Sequence, residues 1–377
     1  MRRSGSVPDR LVRDVARVCA RAQDPLDLLE WVAARIRSDV PYAAAGWILV
    51  DPDTMLMNGV YGEGVDRHTH LELIEAEMSE TEDVNRFVEM VDRGVPAASL
   101  SRTTGGDLNA SSRWRRVYRP RGYGDELRAV FACGSDAWGH ACLVRRRDEP
   151  DFTAAEVGLL ARVAPHVADG IRTGLAVGAV EAPADGTPEL IVLRDDGSVE
   201  SMTPMVSTWF GDPEDESLRS TMVLHQVARR ARALVGDGAA GPDPAAVDPA
   251  GLDPARAWAR TAAGESVIVR GARLGGEGPG RTVLVLDPAT RGDLAPLVMR
   301  LHQLTRRERE VTQLLLTGKT TRAIAADLWI TPETLRGHVK NVLAKLAASS
   351  RVELVAMLSP EPRSRMRPAE PAGRRSP

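Results

Sequence analysis

The sequence predicts a multidomain α+β chain, two antiparallel-sheet domains with helices in succession, followed by an all-α domain of four helices. Three observations lead there. The chain has 377 residues, more than one ordinary core serves, which points to two or three domains. From about residue 43 to 286, short strand-like runs ended by Gly and Asp turns are interleaved with helical stretches, the pattern of mixed α+β structure. After residue 304 the strand pattern stops, and four helices with side-chain caps follow closely.

Composition narrows the class. With 43% hydrophobic and 27% charged residues the chain reads as globular. It has no run of the ~20 apolar residues that a membrane helix requires. The opening Met1-Arg-Arg-Ser-Gly-Ser-Val-Pro8 has no apolar stretch behind it, so no secretory signal is expected. Three cysteines, Cys19, Cys133 and Cys142, are too few for a disulfide framework and lack zinc-ligand spacing. A reduced, cytoplasmic protein is expected.

Residues 9–37 read as one helix, because Leu11, Val15, Val18, Cys19, Leu28, Leu29, Val32 and Ile36 recur at near-helical spacing. Ala43 to Val50 is strand-like and ends at Asp51-Pro-Asp53. A second helix is expected over 66–92, then a Gly/Ser/Thr-rich loop around 100–112. Leu127–Cys133 and Trp138–Val144 flank a Gly134-Ser-Asp136 turn, a hairpin signature. Thr153-Ala-Ala-Glu156 is a capping box opening a helix that runs past Ile171. These elements make a first domain over 1–178, and a linker over 179–188 follows.

The second domain spans 189–288. Leu190 to Glu200 reads as strand, Asp-Gly turn and strand; short helices are expected at about 204–210 and 216–234. Two further strands, 266–270 and 282–286, flank a Gly-rich turn. Residues 235–253, dense in Gly, Pro, Ala and Asp, read as a flexible insertion. A connecting helix is expected over 289–303, and the tail 359–377, rich in Pro, Arg and Glu, reads as disordered and basic.

The net charge of -3 averages two opposite regions. From Arg300 to the end there are 15 Lys and Arg against 7 Asp and Glu, whereas the upstream chain has 34 against 45. A basic end on an acidic body points to a polyanionic partner. All three lysines, Lys319, Lys340 and Lys345, lie in that end.

Within it, Thr305-Arg-Arg-Glu308 is a capping box for a helix with Val311, Leu314 and Leu315 on its apolar face, ended at Gly318. A second helix spans Thr321–Leu328 with Ile324, Ala325 and Leu328 inward. After Trp329-Ile330, Thr331 is the N-cap and Pro332 the first residue of a third helix. Its apolar face is Leu335, Val339, Val342 or Leu343, and Leu346. At 100° per residue, Glu333, Arg336, Gly337, Lys340 and Ala344 share the opposite face. Ser350-Arg-Val-Glu353 caps a fourth helix carrying Val352, Val355 and Leu358. Two helices joined by a short turn, the second with bases along one face, form a helix-turn-helix suited to the major groove.

These residues resemble the LuxR/GerE family of four-helix regulators. Leu304-Thr-x-Arg-Glu-x-Glu-Val311, Gly318, Ile324-Ala325, Leu328, Ile330, Thr334-Leu-Arg-x-His-Val-Lys-Asn341, Lys345-Leu346 and Arg351-x-Glu353 match its pattern in order and spacing over 304–358. The resemblance implies base reading by Arg336, Gly337 and Lys340. It implies backbone contact or support by Thr331, Thr334, His338, Asn341 and Lys345, and pairing of two copies through Val352, Val355 and Leu358. Trp329 and Ala347 stand where the family frequently has glycine. Gly337, without a side chain, predicts weakened or unusual base readout. Tyr118 to Arg128, Trp138-Gly139 and Asp151 to Glu156 resemble the GAF domains that precede this module in high-GC bacteria, and 189–288 is similar to a PAS domain. Both resemblances imply sensing of a small molecule or partner.

Gly318-Lys-Thr320 is not a phosphate loop, since Gln313 stands where a glycine is required. His68-Thr-His70 lacks a nearby third ligand and reads as a solvated helix start rather than a metal site. Cys133 and Cys142 read as buried free thiols rather than a redox pair, and His140 as a satisfied strand histidine rather than a cofactor ligand. No lysine precedes Lys319, which excludes an ordinary phosphorelay receiver, and no hydrolase, metalloprotease or dinucleotide motif is present. The expectation is a dimeric, sequence-specific DNA-binding transcriptional regulator, not an enzyme, with no cofactor or metal. Its expected partners are double-stranded promoter DNA, a second copy, an unknown small-molecule ligand and, as a candidate, RNA polymerase, with no membrane. Two other readings stay open: a ligand-binding signalling protein whose helix-turn-helix makes protein contacts, and an unrecognised enzymatic first domain.

Overall fold

The computed structural model describes residues 7–79, 83–178, 186–213, 221–234, 255–275 and 280–359. The linker apart from 186–188, the whole insertion 235–253 and the tail beyond Ser359 lie outside the described residues. The chain divides into two compact units, residues 1–289 with 296–303, and residues 290–295 with 304–377.

The first unit opens with α1 (Val7–Cys19) and α2 (Pro25–Ile36), not one helix. Pro25 cannot donate into a continuing helix, and the Asp24 carboxylate accepts from the Leu26 and Asp27 amides, restarting the helix there. Then come β1 (Ala44–Val50), β2 (Met57–Glu63), α3 (Arg67–Ser79) and α4 (Phe87–Asp92). The helix expected over 66–92 is therefore also two. After β3 (Ala97–Ser99), the stretch expected to be a loop forms α5 (Leu100–Thr103) and a 3-10 turn at Leu108–Ala110. A π-helical turn over Trp114–Tyr118 leads to the hairpin β4 (Tyr123–Cys133) and β5 (Asp136–Arg146), longer than its sequence signature, and to α6 (Ala154–Gly178). The Thr153–Glu156 box closes in both directions, Glu156 N to Thr153 Oγ1 at 3.3 Å and Thr153 N to Glu156 Oε2 at 2.7 Å.

These strands form an antiparallel sheet of order β2-β1-β5-β4-β3. Helix α6 packs on β4, β3 and β5 together with α1 and α2. Close approach is possible because Gly174 has no Cβ; one built there would stand 2.2 Å from the Gln23 carbonyl oxygen. On the sheet's other face Ile48, Val60, Ile74, Phe87, Met90 and Val130 form a second core layer under α3 and α4.

The second sheet contains β6 (Glu189–Leu193), β7 (Val199–Met202), β8 (Arg256–Arg260), β9 (Ser266–Leu274) and β10 (Arg281–Pro288), in the order β7-β6-β10-β9-β8. Helices α7 (Met205–Phe210) and α8 (Met222–Ala233) cover it, α8 packing on β8, β9 and β10. Strands β2 and β8 were not expected: β2 carries two glycines and has no β-branched run.

The two halves of this unit interlock. Leu56 of the first half joins the core of the second, and Met222 of α8 joins the core of the first. Asp51 accepts from the Trp258 amide at 2.8 Å, and Arg229 pairs with Glu75. Helix α9 (Arg291–Leu301) follows β10, and its Arg300 reaches Asp53 at 2.6 Å and also pairs with Asp136.

The second unit holds α10 (Arg306–Leu316), α11 (Thr321–Asp327), α12 (Pro332–Lys345) and α13 (Arg351–Leu358). Val311, Leu315, Ile324, Leu335, Val342, Leu346, Leu354 and Leu358 are among its buried apolar side chains. Val342 is thus buried, while Leu343 is half-buried. Among the described residues no helix is long and apolar enough to cross a membrane.

Candidate nucleic-acid interface

Four caps set the helix starts in the second unit. Thr305 Oγ1 accepts from Glu308 N at 3.3 Å while Glu308 Oε2 accepts from Thr305 N at 2.8 Å. The hydroxyls of Thr320, Thr331 and Ser350 accept from the third helical amide beyond each. Glu308 does more than cap: its carboxylate receives Lys345 Nζ at 2.6 Å, bracing α12 against α10. Burial works against the charge on Glu308, yet the hydrogen bonds from Lys345 and Thr305 hold its carboxyl below the usual range. Arg307 donates to the Leu328 carbonyl at 2.5 Å and Arg351 to that of Lys319 at 2.6 Å, so both tie loops to helices.

The turns between helices explain two departures from the family pattern. Trp329 and Ala347 adopt φ of 54° and 51°, the left-handed region that glycine enters without strain. Each is the residue after a helix cap. Ile330 N donates to Ala325 O at 3.0 Å and Ala348 N to Leu343 O at 2.9 Å, the Schellman arrangement that demands this conformation. Ala347→Gly is therefore expected to stabilise the unit by about 1 kcal/mol, read as slower amide exchange in α10 and α12. Unchanged or faster exchange counts against that strain. Trp329 is also 94% exposed, a large aromatic that the domain core does not use.

On α12 the expected face is exposed: Glu333, Arg336, Gly337, Lys340, Asn341 and Ala344 all point to solvent. Among the described residues Lys340 has no hydrogen-bond or ion-pair partner, and Arg336 pairs only with the exposed Glu333. Thr331 and Thr334 share a hydroxyl contact at 2.9 Å at the start of the helix, so Thr331 serves first as its cap. His338 is half-buried, and Lys345 is engaged by Glu308. Of the eight candidate contact residues, Lys345 thus has a bracing role in the fold itself.

A Cβ at Gly337 would meet nothing within 4 Å. Gly337→Ala is expected to gain about 1 kcal/mol of helix stability, measured by chemical denaturation. Gly337→Val is expected to alter relative affinities among promoter fragments; unchanged affinity across the set would remove position 337 from readout.

One base escaped the sequence reading. Arg322, in the first turn of α11, is exposed and has no hydrogen-bond or ion-pair partner among the described residues, although a cation there opposes the helix dipole. The signal was available as a basic residue two positions after an N-cap.

The fourth helix divides its apolar residues. Val352 is 79% exposed and Val355 half-buried, whereas Leu358 is 2% exposed and packed in the domain's own core. Leu358 is thereby corrected from a pairing residue to a core residue. Its spacing from Leu354, four positions earlier, puts both on the inner stripe.

In the first unit, His68 is exposed and pairs with Glu72 at 3.0 Å, but His70 is buried, so only the first of the two is solvated. Cys133 and Cys142 are free thiols, half-buried rather than buried, and lie opposite Asp136 and Arg128, not each other. His140 is buried in the sheet with neither ring nitrogen hydrogen-bonded, which corrects the expectation of a satisfied strand histidine. Among the described residues no three His, Cys, Asp or Glu side chains assemble a metal site.

The capped four-helix arrangement with a basic outer face on α12 defines a helix-turn-helix DNA-binding domain. Residues 302–358 match the family model described as GerE, bacterial regulatory proteins, luxR family. Over 55 residues the chain is 46% identical to the spore germination protein GerE of Bacillus subtilis, covering 15% of this chain and 74% of GerE. It belongs to the luxR family of bacterial regulatory proteins. It is also 36% identical over 77 residues to the nitrate/nitrite response regulator protein NarL of Escherichia coli K12, covering 20% of this chain but only 36% of NarL. The first unit is similar to the GAF domain of an Acinetobacter phosphoenolpyruvate-protein phosphotransferase, at 14% identity and a TM-score of 0.33, covering 47% of this chain and 99% of that one.

Proposed function

We propose that this chain is a sequence-specific transcriptional regulator that lays α12 in the major groove of promoter DNA, acts as a dimer, and is controlled by a small molecule bound in its first unit. The observation that carries the reading is the outer face of α12, where among the described residues Lys340 has no partner and Arg336 has only an exposed one. Such bases gain their partners from phosphates and guanine edges. The exposed Val352 supports pairing of two copies through α13, and two copies read two half-sites. No step of this function is catalytic. A bound molecule changes DNA occupancy only through different affinities for two arrangements of the dimer.

Footprinting of the full chain on genomic fragments tests the reading. Protected sites with two half-sites are expected, and they are expected to disappear with Lys340→Ala. Protection that persists in that variant, or its absence in wild type, overturns it.

A further inference from the structure

Strands β1 and β2 place Gly46 and Gly62 opposite each other, and the His70 ring from α3 lies over them. A Cβ at Gly62 would come within 2.7 Å of the ring, and one at Gly46 within 3.6 Å. The two glycines therefore make room for an imidazole against the sheet. Beside it, β5 presents His140, opposite Ile48 on β1 and Val130 on β4, stacked on Phe87 with 3.7 Å between ring centroids.

Both rings line one cavity of about 40 Å³, whose remaining wall is mainly apolar and includes Ile48, Met57 and Met222. Neither ring nitrogen of His140 is hydrogen-bonded, nor is Nε2 of His70. Buried polar atoms without a protein partner are uncommon, and water, an ion or a ligand ordinarily meets them. Besides the free Cys142 thiol, the other polar side chains of the wall have partners. Tyr118 donates to Glu126 at 3.0 Å, Tyr123 to the Gly64 carbonyl at 3.2 Å, Thr69 to Asp66 at 2.7 Å, and Arg128 to Glu77 at 2.8 Å.

Burial pulls the His140 pKa down to about 3, further lowered by Arg128 against the opposing pull of Glu77, and burial lowers that of His70 too. Neutral imidazoles each offer one donor and one acceptor. A net charge in this cavity would find no free counter-charge and would lose its hydration.

We propose that the cavity binds a compact uncharged molecule carrying both a hydrogen-bond donor and an acceptor, such as a small amide or alcohol, between His70 and His140. The proposal rests on the reading of the first unit as a sensor and names its ligand class. A cavity of about 40 Å³ exceeds the ~10–15 Å³ that one water requires, and admits a molecule of a few heavy atoms. Met57 and Met222 are unbranched and adapt to its shape. Met222 belongs to α8, on the second sheet, so an occupant touches both halves of the unit at once.

The test uses the full chain with its histidines labelled in nitrogen-15 and three probes of one shape: acetamide, acetate and acetamidinium. Acetamide is expected to shift the ring nitrogens of His70 and His140 saturably, at least about tenfold more tightly than either charged probe. His140→Phe, which keeps a ring on Phe87, is expected to erase that preference; a His70→Leu variant provides the same readout if the first does not fold. Ring nitrogens unmoved by acetamide, or three probes that bind alike, overturn the site. Gel shifts in acetamide separate the two readings: binding at His140 without any change in DNA affinity leaves the site standing and removes the sensor role. A cell extract that changes DNA affinity in wild type and in His140→Phe alike keeps the sensor role and removes this site.

Discussion

Lys340→Ala is expected to weaken promoter binding at least tenfold, roughly 1.4 kcal/mol or more, while leaving the fold intact. The second half follows from the geometry: Lys340 is exposed and has no partner among the described residues, so its removal breaks no contact there. The first half follows from charge. A lysine that neutralises one phosphate releases a counterion, so its loss lowers the slope of log affinity against log salt by about one. Arg336→Ala is expected to behave differently. Its pair with Glu333 spans three residues on an exposed helix face and contributes only a few tenths of a kcal/mol. If Arg336 reads a guanine edge, its loss relaxes preference at one base position while the salt slope changes little. Binding isotherms at several salt concentrations on matched and mutated sites measure both effects. Wild-type affinity and slope for Lys340→Ala would remove α12 from the interface.

Arg113→Met is expected to cost about 3–5 kcal/mol of stability in the first unit. Arg113 is fully buried and donates to Asp83 Oδ2 at 2.9 Å and to Glu126 Oε2 at 2.6 Å. Arg128 meets Glu126 at 3.0 Å and Glu77 at 2.8 Å, and lies over the Phe87 ring. Removing the Arg113 guanidinium takes the paired cation from buried Asp83 and leaves Glu126 with Arg128 alone. The same network makes the unit acid-sensitive. Burial opposes ionisation of Glu126, but Arg113 and Arg128 outweigh it and bring its pKa down to about 2. A depressed carboxyl stabilises the fold fully above its unfolded pKa of about 4, and that contribution is lost as pH falls towards 2. Chemical denaturation of wild type between about pH 5 and about pH 2 should show this loss, and Glu126→Gln should flatten it from a lower starting stability. A wild-type profile already flat in that range counts against the network.

The DNA-binding unit was legible because its signals are local. Thr305, Thr331, Pro332, Ser350 and Gly318 mark helix ends through contacts within a few residues. The capping box at Thr153 was legible for the same reason. A break inside apolar periodicity was read over: Leu11 to Ile36 keeps helical spacing across Asp24-Pro25, which masked the local cap-and-proline signal of a restart. Strand β2 was silent because Gly59 and Gly62 contribute no strand preference of their own. Its place depends on pairing with β1. Gly62 is explained only by the imidazole above it, and Leu358 only by the core it enters.

Sequence alone determined that the chain ends in a capped, basic helix-turn-helix of the luxR family and begins with mixed α+β structure. Those properties depend on neighbours within one or two helical turns or on strand alternation, which linear spacing records. Tertiary structure decided which bases are free and which are braces: Lys340 and Lys345 are five residues apart, yet only Lys345 meets Glu308. It also decided that two buried histidines from α3 and β5 share one cavity with Met222 from the second sheet's helix. Such proximity joins residues far apart in the chain, and no spacing rule encodes it.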